Sequence, residues 1–214
     1  MGIVDATIIF VKQQLEGAEA GHDWFHIERV YRNALHIADQ EQCNREAVQL
    51  AALLHDIADS KFHGGDETIG PITARAFLES QNVEESTINH VVRIIENISF
   101  KGGKTDRTFS SLELDIVQDA DRLDAIGAIG IARTFAYGGF KNRPLYDPAI
   151  APNMHMTKEE YKASHAPTLN HFYEKLLLLK DRMNTATGKK LAEDRHRFME
   201  VFLAKFYAEW DGEK

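Results

Sequence analysis

Apolar residues recur along this chain mainly at intervals of three and four positions, the spacing of one face of an α-helix. The pattern is clearest in REAVQLAALLHDIAD (45–59) and in AEDRHRFMEVFLAKFYAEW (192–210). No stretch shows the strict alternation that indicates a strand. The sequence therefore predicts an all-α protein, with helices over about 3–16, 23–42, 45–58, 67–81, 84–98, 110–122, 123–137, 157–184 with a break near Pro167, and 187–210.

The chain has no obvious boundary between domains. Its 214 residues contain no internal repeat and no linker rich in Pro, Gly or Ser, so we expect a single domain over 1–214. Two irregular segments stand out, SKFHGGD (60–66) and YGGFKNRPLYDPAIAPNMHM (137–156). Because long irregular loops in compact domains are often functional, we expect both to border a site.

Composition and charge narrow the classes of function. The formal net charge of −8 argues against a surface for nucleic acid polymers, which need clustered Lys and Arg. Cys43 is the only cysteine, so neither an internal disulfide nor a thiolate-rich zinc site can form. The first residues do not read as a signal peptide, and no run of about 18 apolar residues predicts a membrane span. We expect a cytoplasmic protein.

The stretch LLHDIADSKFHGG places His55 and Asp56 side by side where a helical pattern ends. Neighbours in a helix diverge by about 100°, but at a helix end their side chains can converge on one ion. A divalent ion requires about four to six N and O donors, and His26 and Asp121 each lie on a predicted helix beside apolar residues. A lone histidine is often a core residue, and Asp56 could pair with an arginine. Together the four residues favour a metal, because unpaired buried carboxylates are costly.

These residues carry a resemblance to a known family. A histidine, a later His-Asp doublet and a distant aspartate on helices resemble the HD-domain metal-dependent phosphohydrolases, and His26, His55-Asp56 and Asp121 match that order. The resemblance covers about 20–140, and GHDWFHIERV, LLHDIADSKFHGG and DADRLDAIGAIGIARTF look like a small bacterial, nucleotide pyrophosphohydrolase-like branch. It implies a single-domain HD-type helical bundle, with C-terminal helices over about 157–210 packing on the motif-bearing core.

The resemblance also implies a cofactor and a chemistry. One divalent ion, Mn, Mg, Co, Ni or Fe(II), would be held by the two histidines and two aspartates, and would favour hydrolysis of a phosphoester or phosphoanhydride. Members with two irons carry two further histidine ligands between the doublet and the last aspartate. Here that interval holds only His63 and His90, so we favour one metal ion.

Related hydrolases suggest roles for residues around the four ligands. An acidic residue at the position of Asp59 orients or deprotonates the attacking water there, although Asp59 could instead end the helix or pair with Lys61. Ser60 replaces the carboxylate found in guanosine-tetraphosphate hydrolases, which argues against that substrate.

The residues that could contact a substrate fall into two groups. The candidate stacking surfaces are Trp24, Phe25, Phe140 and Tyr146, of which Phe25 better fits the core. The candidate substrate-binding residues are Lys61, Arg29, Arg122, Lys141 and Arg143 for phosphate, and Asp124 as a supporting partner or a contact to a sugar hydroxyl.

The branch resemblance implies a nucleotide as a small-molecule substrate. Hydrolysis of (deoxy)nucleoside triphosphates to monophosphate and pyrophosphate is the first hypothesis. A 5′-nucleotidase-type phosphomonoesterase and a non-catalytic metal- or nucleotide-binding sensor are the alternatives. Homo-oligomers are common among such proteins, but no stripe of residues in this sequence identifies an interface.

Overall fold

The computed structural model describes residues 1–17, 23–57, 66, 68–98, 109–157, 160 and 164–213. Over these residues the chain is all-α and has no strand, as the sequence predicts. Two short 3-10 helices, Leu176–Leu178 and Lys180–Arg182, lie between the last two α-helices of the described residues. The α-helices are α1 Ile3–Gln14, α2 Trp24–Ala38, α3 Arg45–Leu54, α4 Ile69–Ser80, α5 Glu85–Ile98, α6 Leu112–Asp124, α7 Gly127–Phe140, α8 Asn170–Glu174 and α9 Ala186–Trp210.

Side-chain caps mark where three of these helices begin. Asp23 accepts a hydrogen bond from the backbone N–H of His26 (3.0 Å) at the start of α2. Asn44 caps α3 and Thr185 caps α9 in the same way, each through a backbone N–H three residues ahead. Such caps satisfy N–H groups that the first helical turn leaves unpaired. The Asp23 cap sets the start of α2 at Trp24, two residues before His26.

The prediction of a helix over 157–184 with a break near Pro167 is right about the break and wrong about the extent of the helix. In the described part of that range, Glu160 is helical, residues 164–169 are not, and α8 (Asn170–Glu174) is followed by the two 3-10 helices. The backbone N–H groups of Thr168 and Leu169 donate to the carbonyls of Pro144 and Leu145 (2.9 and 3.0 Å) instead of to a preceding helical turn. Pro167 has no backbone N–H to donate, and this disfavours a continuous helix through it. The apolar spacing around Pro167 therefore reflects burial and not a helix.

The contacts divide the chain into two compact units, residues 1–121 and 122–214. In the first unit, α3 packs against α1, α2 and α5, and α4 packs against α5. Seven of the ten residues of α3 are buried, among them Leu50, Leu53 and Leu54. A helix buried on most sides carries few polar residues, so a polar pair at its end is positioned by a rigid core.

In the second unit, α7 packs against α9. An aromatic cluster joins them to α8: Phe135 lies 5.9 to 6.4 Å, between ring centroids, from Phe172, Phe202 and Phe206. Gly127 begins α7 with a φ of 73°, a left-handed conformation that favours glycine.

Two expectations concern the chain as a whole. The single HD domain over 1–214, with C-terminal helices packed on its core, stays a prediction. A search of the described residues finds no helix with the length and apolar character that crossing a membrane requires.

Candidate metal centre

His26 enters the site from the first turn of α2. The helix begins one residue after the Asp23 cap, and the spacing of its apolar residues turns His26 and Ile27 towards the interior, where His26 is only 3% exposed. Its imidazole meets that of His55 edge to face, with 5.3 Å between ring centroids. Two helices thus bring two histidines that are distant in sequence to one place.

His55 stands at the C-terminal end of the buried helix α3. Its Nδ1 lies 2.9 Å from the carbonyl oxygen of Ala52, one turn earlier, which favours the tautomer that donates from Nδ1. Its Nε2 is buried and has no hydrogen-bond partner. A buried polar atom without a partner is costly, and a free imidazole lone pair is the electron pair that a metal accepts.

The donor atoms around His55 are close enough for a metal ion. One ligand atom from each of His26, His55 and Asp56 lies within 4.8 Å of the others. Oδ1 of Asp121, on α6, lies 3.6 Å from Nε2 of His26 and 4.0 Å from Nε2 of His55. Two donors that each lie about 2.1 Å from one ion are at most about 4.2 Å apart, so Asp121 is within reach of an ion that both imidazoles bind. The residues present therefore fit a divalent metal.

The helix α6 is tied to its neighbours beside Asp121. Nε2 of Gln118, one turn before Asp121, donates to the carbonyl of Asn97 (2.9 Å) at the end of α5. Nδ2 of Asn33 on α2 donates to the carbonyl of Ala120 (3.4 Å). The sequence pattern alone indicates no role for these amides. The only available signal was a polar residue at a position that the helical pattern marks as buried, where Gln118 is 7% exposed.

From the sequence, Asp121 is expected to be a buried carboxylate beside apolar residues, and the structure differs from this expectation. The side chain of Asp121 is 43% exposed, whereas Asp119 and Asp124 are 0% and 1% exposed. Asp124 forms an ion pair with Arg133 on α7. The buried carboxylates of this helix are thus neighbours of Asp121, and the more open Asp121 is accessible to a bound ion and to solvent.

The other predicted site residues lie in three places. Asp59 and Lys61 lie outside the described residues. Arg29 is half-buried on α2, one turn after His26, and has partners there. Arg122, Asp124, Lys141 and Arg143 belong to the unit of residues 122–214, in which Arg122 donates to the carbonyl of Arg182 (2.6 Å) and Arg143 to that of Ser164 (2.6 Å).

The structure also places three of the candidate stacking residues and His90, the described histidine between Asp56 and Asp121. Phe25 is 62% exposed, so its interpretation as a core residue is wrong. Phe140 is 61% exposed and lies 5.0 Å from Nζ of Lys141, whereas Tyr146 packs against Trp210. Nε2 of His90 lies 3.1 Å from Oε2 of Glu113. In the described chain, the one group of three or more candidate ligands is that of His26, His55 and Asp56.

A family model and several proteins of solved structure match this chain. The model of the HD domain matches residues 24–126. The chain is 48% identical to an HD-superfamily hydrolase from Bacillus thuringiensis, with a TM-score of 0.79 and coverage of 97% of this chain and 96% of that one. It is 40% identical to a protein of solved structure from Lactobacillus plantarum, with a TM-score of 0.82 and coverage of 98% and 97%.

A third relative is YpgQ of Bacillus subtilis. Sequence alignment gives 38% identity over 197 residues, 91% of this chain and 87% of the relative. Structural alignment with YpgQ in complex with ADP spans 99% of this chain and 100% of that one, with 34% identity and a TM-score of 0.76.

The fold and the group of histidines and aspartates define an all-α protein with a site that could hold a divalent metal. The chain belongs to the HD-domain superfamily of metal-dependent phosphohydrolases and is an HD-superfamily hydrolase.

Proposed function

We propose that this hydrolase acts on nucleotides with one divalent ion held by His26, His55, Asp56 and Asp121. The observation that carries the metal is the buried Nε2 of His55, which has no hydrogen-bond partner and lies 4.0 Å from a carboxylate oxygen of Asp121. A bound ion would supply Lewis acidity, lowering the pKa of water and polarising a phosphoryl oxygen. Two imidazoles and two carboxylates suit Mn, Mg, Co, Ni or Fe(II), because the set contains no soft thiolate.

The substrate that we propose is a (deoxy)nucleoside triphosphate, cleaved to monophosphate and pyrophosphate. YpgQ, which aligns over almost the whole chain, crystallises with ADP, and this supports a nucleotide as the substrate class. The net charge of −8 favours a small-molecule substrate over a nucleic acid polymer. Manganese as the ion and the cytoplasm as the location belong to the same proposal.

The chain's own residues would supply the general base, the orientation of His55 and the contacts to substrate. Asp59 would take the proton of the attacking water, as the general base. His55 would be held in the Nδ1-protonated tautomer by the carbonyl of Ala52. The phosphate-binding residues would be Lys61, Arg29, Arg122, Lys141 and Arg143, and Asp124 would support the site or contact a sugar hydroxyl.

A metal-by-substrate screen tests the proposal. The protein is stripped with a chelator, reconstituted separately with the five ions, and offered nucleoside tri-, di- and monophosphates while phosphate and pyrophosphate are measured separately. We expect pyrophosphate from triphosphates, and none from His55→Ala purified in parallel. Phosphate released from monophosphates would instead favour the 5′-nucleotidase alternative. Nucleotide binding with neither product would favour the sensor.

A further inference from the structure

The carboxylate of Glu113, in the first turn of α6, joins three elements. Its Oε1 accepts a hydrogen bond from the backbone N–H of Asn44 (2.8 Å), the residue that caps α3. Its Oε2 lies 3.1 Å from Nε2 of His90 on α5. The side chain is only 13% exposed. Burial raises the pKa of Glu113, but hydrogen bonds from Asn44, from its own backbone and from His90 outweigh it and hold the pKa below its usual range.

The two helices that start at this link lead to two predicted metal ligands: α3 ends one residue before His55, and α6 passes through Asp121 before it ends at Asp124. From Asn44, α3 leads to His55 over about 16 Å, and from Glu113, α6 leads to Asp121 over about 12 Å, at about 1.5 Å per residue. At the far ends, Nε2 of His55 and Oδ1 of Asp121 are 4.0 Å apart. The helices therefore run in the same direction, joined by Glu113 at one end and by the metal-ligand pair at the other.

A second contact limits the rotation of α6. Gln118 donates to the carbonyls of Asn97 and Ile98 at the end of α5 (2.9 and 3.4 Å), and it lies one turn before Asp121 on a neighbouring part of the helix surface. Gln118 and Asn33 hold the part of α6 near Asp121, and the bond of Glu113 to Asn44 holds the first turn against the start of α3.

We propose that Glu113 is a positioning residue of the metal centre, which sets the axial register of α6 against α3 and so keeps Asp121 opposite His55. The inference rests on the proposed metal site. A displacement of α6 by a single residue is about 1.5 Å, whereas metal–ligand distances tolerate about 0.2 Å. Loss of the link should therefore weaken the binding of metal even where the fold survives.

Binding of Mn²⁺ by the full-length, chelator-stripped protein provides the test, measured by calorimetry at a temperature where every variant is folded. We expect Glu113→Ala to weaken the Kd for Mn²⁺ by roughly tenfold, the lower end of the range for removal of a direct partner of a metal ligand, because Glu113 acts on Asp121 only through α6. Glu113→Gln keeps an oxygen that can accept from Asn44, so its Kd should stay near that of the wild type. Glu113→Asp keeps the charge but is one methylene shorter, so it should weaken binding and serves if Glu113→Ala fails to fold.

The control variant is Glu85→Ala. Glu85 is likewise an acidic residue in the first turn of a helix, and it bonds Arg75 (2.9 Å) between α4 and α5, which carry none of the proposed ligands. Unfolding by urea, without metal, is measured for all variants. If Glu113→Ala or Glu113→Asp loses stability but keeps the wild-type Kd, the residue is merely structural and the proposal is overturned. If the wild type takes up no Mn²⁺, the same measurement is made with Mg²⁺, Co²⁺, Ni²⁺ and Fe²⁺, and a wild type that takes up none of the five ions would overturn the metal site itself, and this inference with it.

Discussion

Nε2 of His26 on α2 lies 3.6 Å from Oδ1 of Asp121 on α6, although the two residues lie near opposite ends of the HD-domain segment in the sequence. The two residues are the first and last of the four predicted ligands in sequence order. Their proximity depends on the packing of α2 on α3 and on the contacts that hold α6, and it brings a carboxylate oxygen to 4.0 Å from the unpartnered Nε2 of His55.

The stoichiometry of the metal follows from this arrangement. Elemental analysis of the purified protein should find about one divalent ion per chain. The double variant His55→Ala, Asp56→Ala should lose it, because the remaining two donors bind a divalent ion weakly. His196→Ala is the matched control: this histidine pairs with Glu200 on α9 and should leave the ion in place. Full occupancy in the double variant would contradict the assignment.

The proposed role of Asp59 predicts a loss of turnover without a loss of metal. Asp59→Asn keeps the size of the side chain and a hydrogen-bonding oxygen but removes the basicity. The value of kcat should fall by about two to four orders of magnitude, the range typical of a lost general base, with metal content unchanged. Steady-state kinetics and elemental analysis of the same preparation check this. Metal loss would make Asp59 a ligand, and full activity would remove its role as the base.

The ion pair of Arg133 with Asp124 should be important for stability. Asp124 is 1% exposed, so Arg133→Met leaves a buried carboxylate without its main cation. Removal of one partner from a buried pair costs about 3–5 kcal/mol, and we expect the lower end because Arg195 also interacts with Asp124. Urea unfolding of Arg133→Met and of Asp124→Asn, Arg133→Met measures the effect. The double variant should recover part of the loss, because the buried carboxylate that Arg133 paired with is no longer charged.

Two adjacent glycines of α7 should respond oppositely to alanine. A Cβ on Gly138 would lie 2.2 Å from Oγ1 of the buried Thr168, whereas a Cβ on Gly139 would meet nothing within 4 Å. Gly138→Ala should cost about 1–3 kcal/mol through overpacking. Gly139→Ala should be neutral or stabilising by up to about 1 kcal/mol, the helix propensity difference. Equal effects of the two substitutions on thermal unfolding would contradict the close packing of α7 on Thr168.

Stability in acid should depend on Glu113. Its pKa in the folded protein is lower than its ordinary value of about 4.3, so its contribution to stability is fully present above that value and is lost as the pH falls through the folded pKa. Glu113→Gln cannot titrate. The difference in unfolding free energy between the wild type and this variant should therefore be largest near pH 7 and should shrink below about pH 4. A difference that stays constant over this range would contradict the prediction.

The helical class and the order of the ligands could be predicted from the sequence. Apolar residues at intervals of three and four depend only on which side of a helix is buried, so the sequence correctly predicted helices such as α3 and α9. The position of His55 at the end of α3 followed from the break in that pattern. The prediction over 157–184 placed the break near Pro167 correctly but made the helix too long, because buried residues that bond to another loop, as Thr168 does to Pro144, can carry the same spacing without forming a helix.

What the sequence by itself determined is therefore the all-α class, the helix ends that carry His26 and His55-Asp56, and the family motif. Only the tertiary structure decided which carboxylates of α6 are buried, that Phe25 is exposed, and that Glu113 is bonded to the start of α3. Local periodicity depends on burial along a single helix. The distance between two helices, and hence which polar side chains meet, depends on how several of them pack, and this is a property that no single stretch of sequence contains.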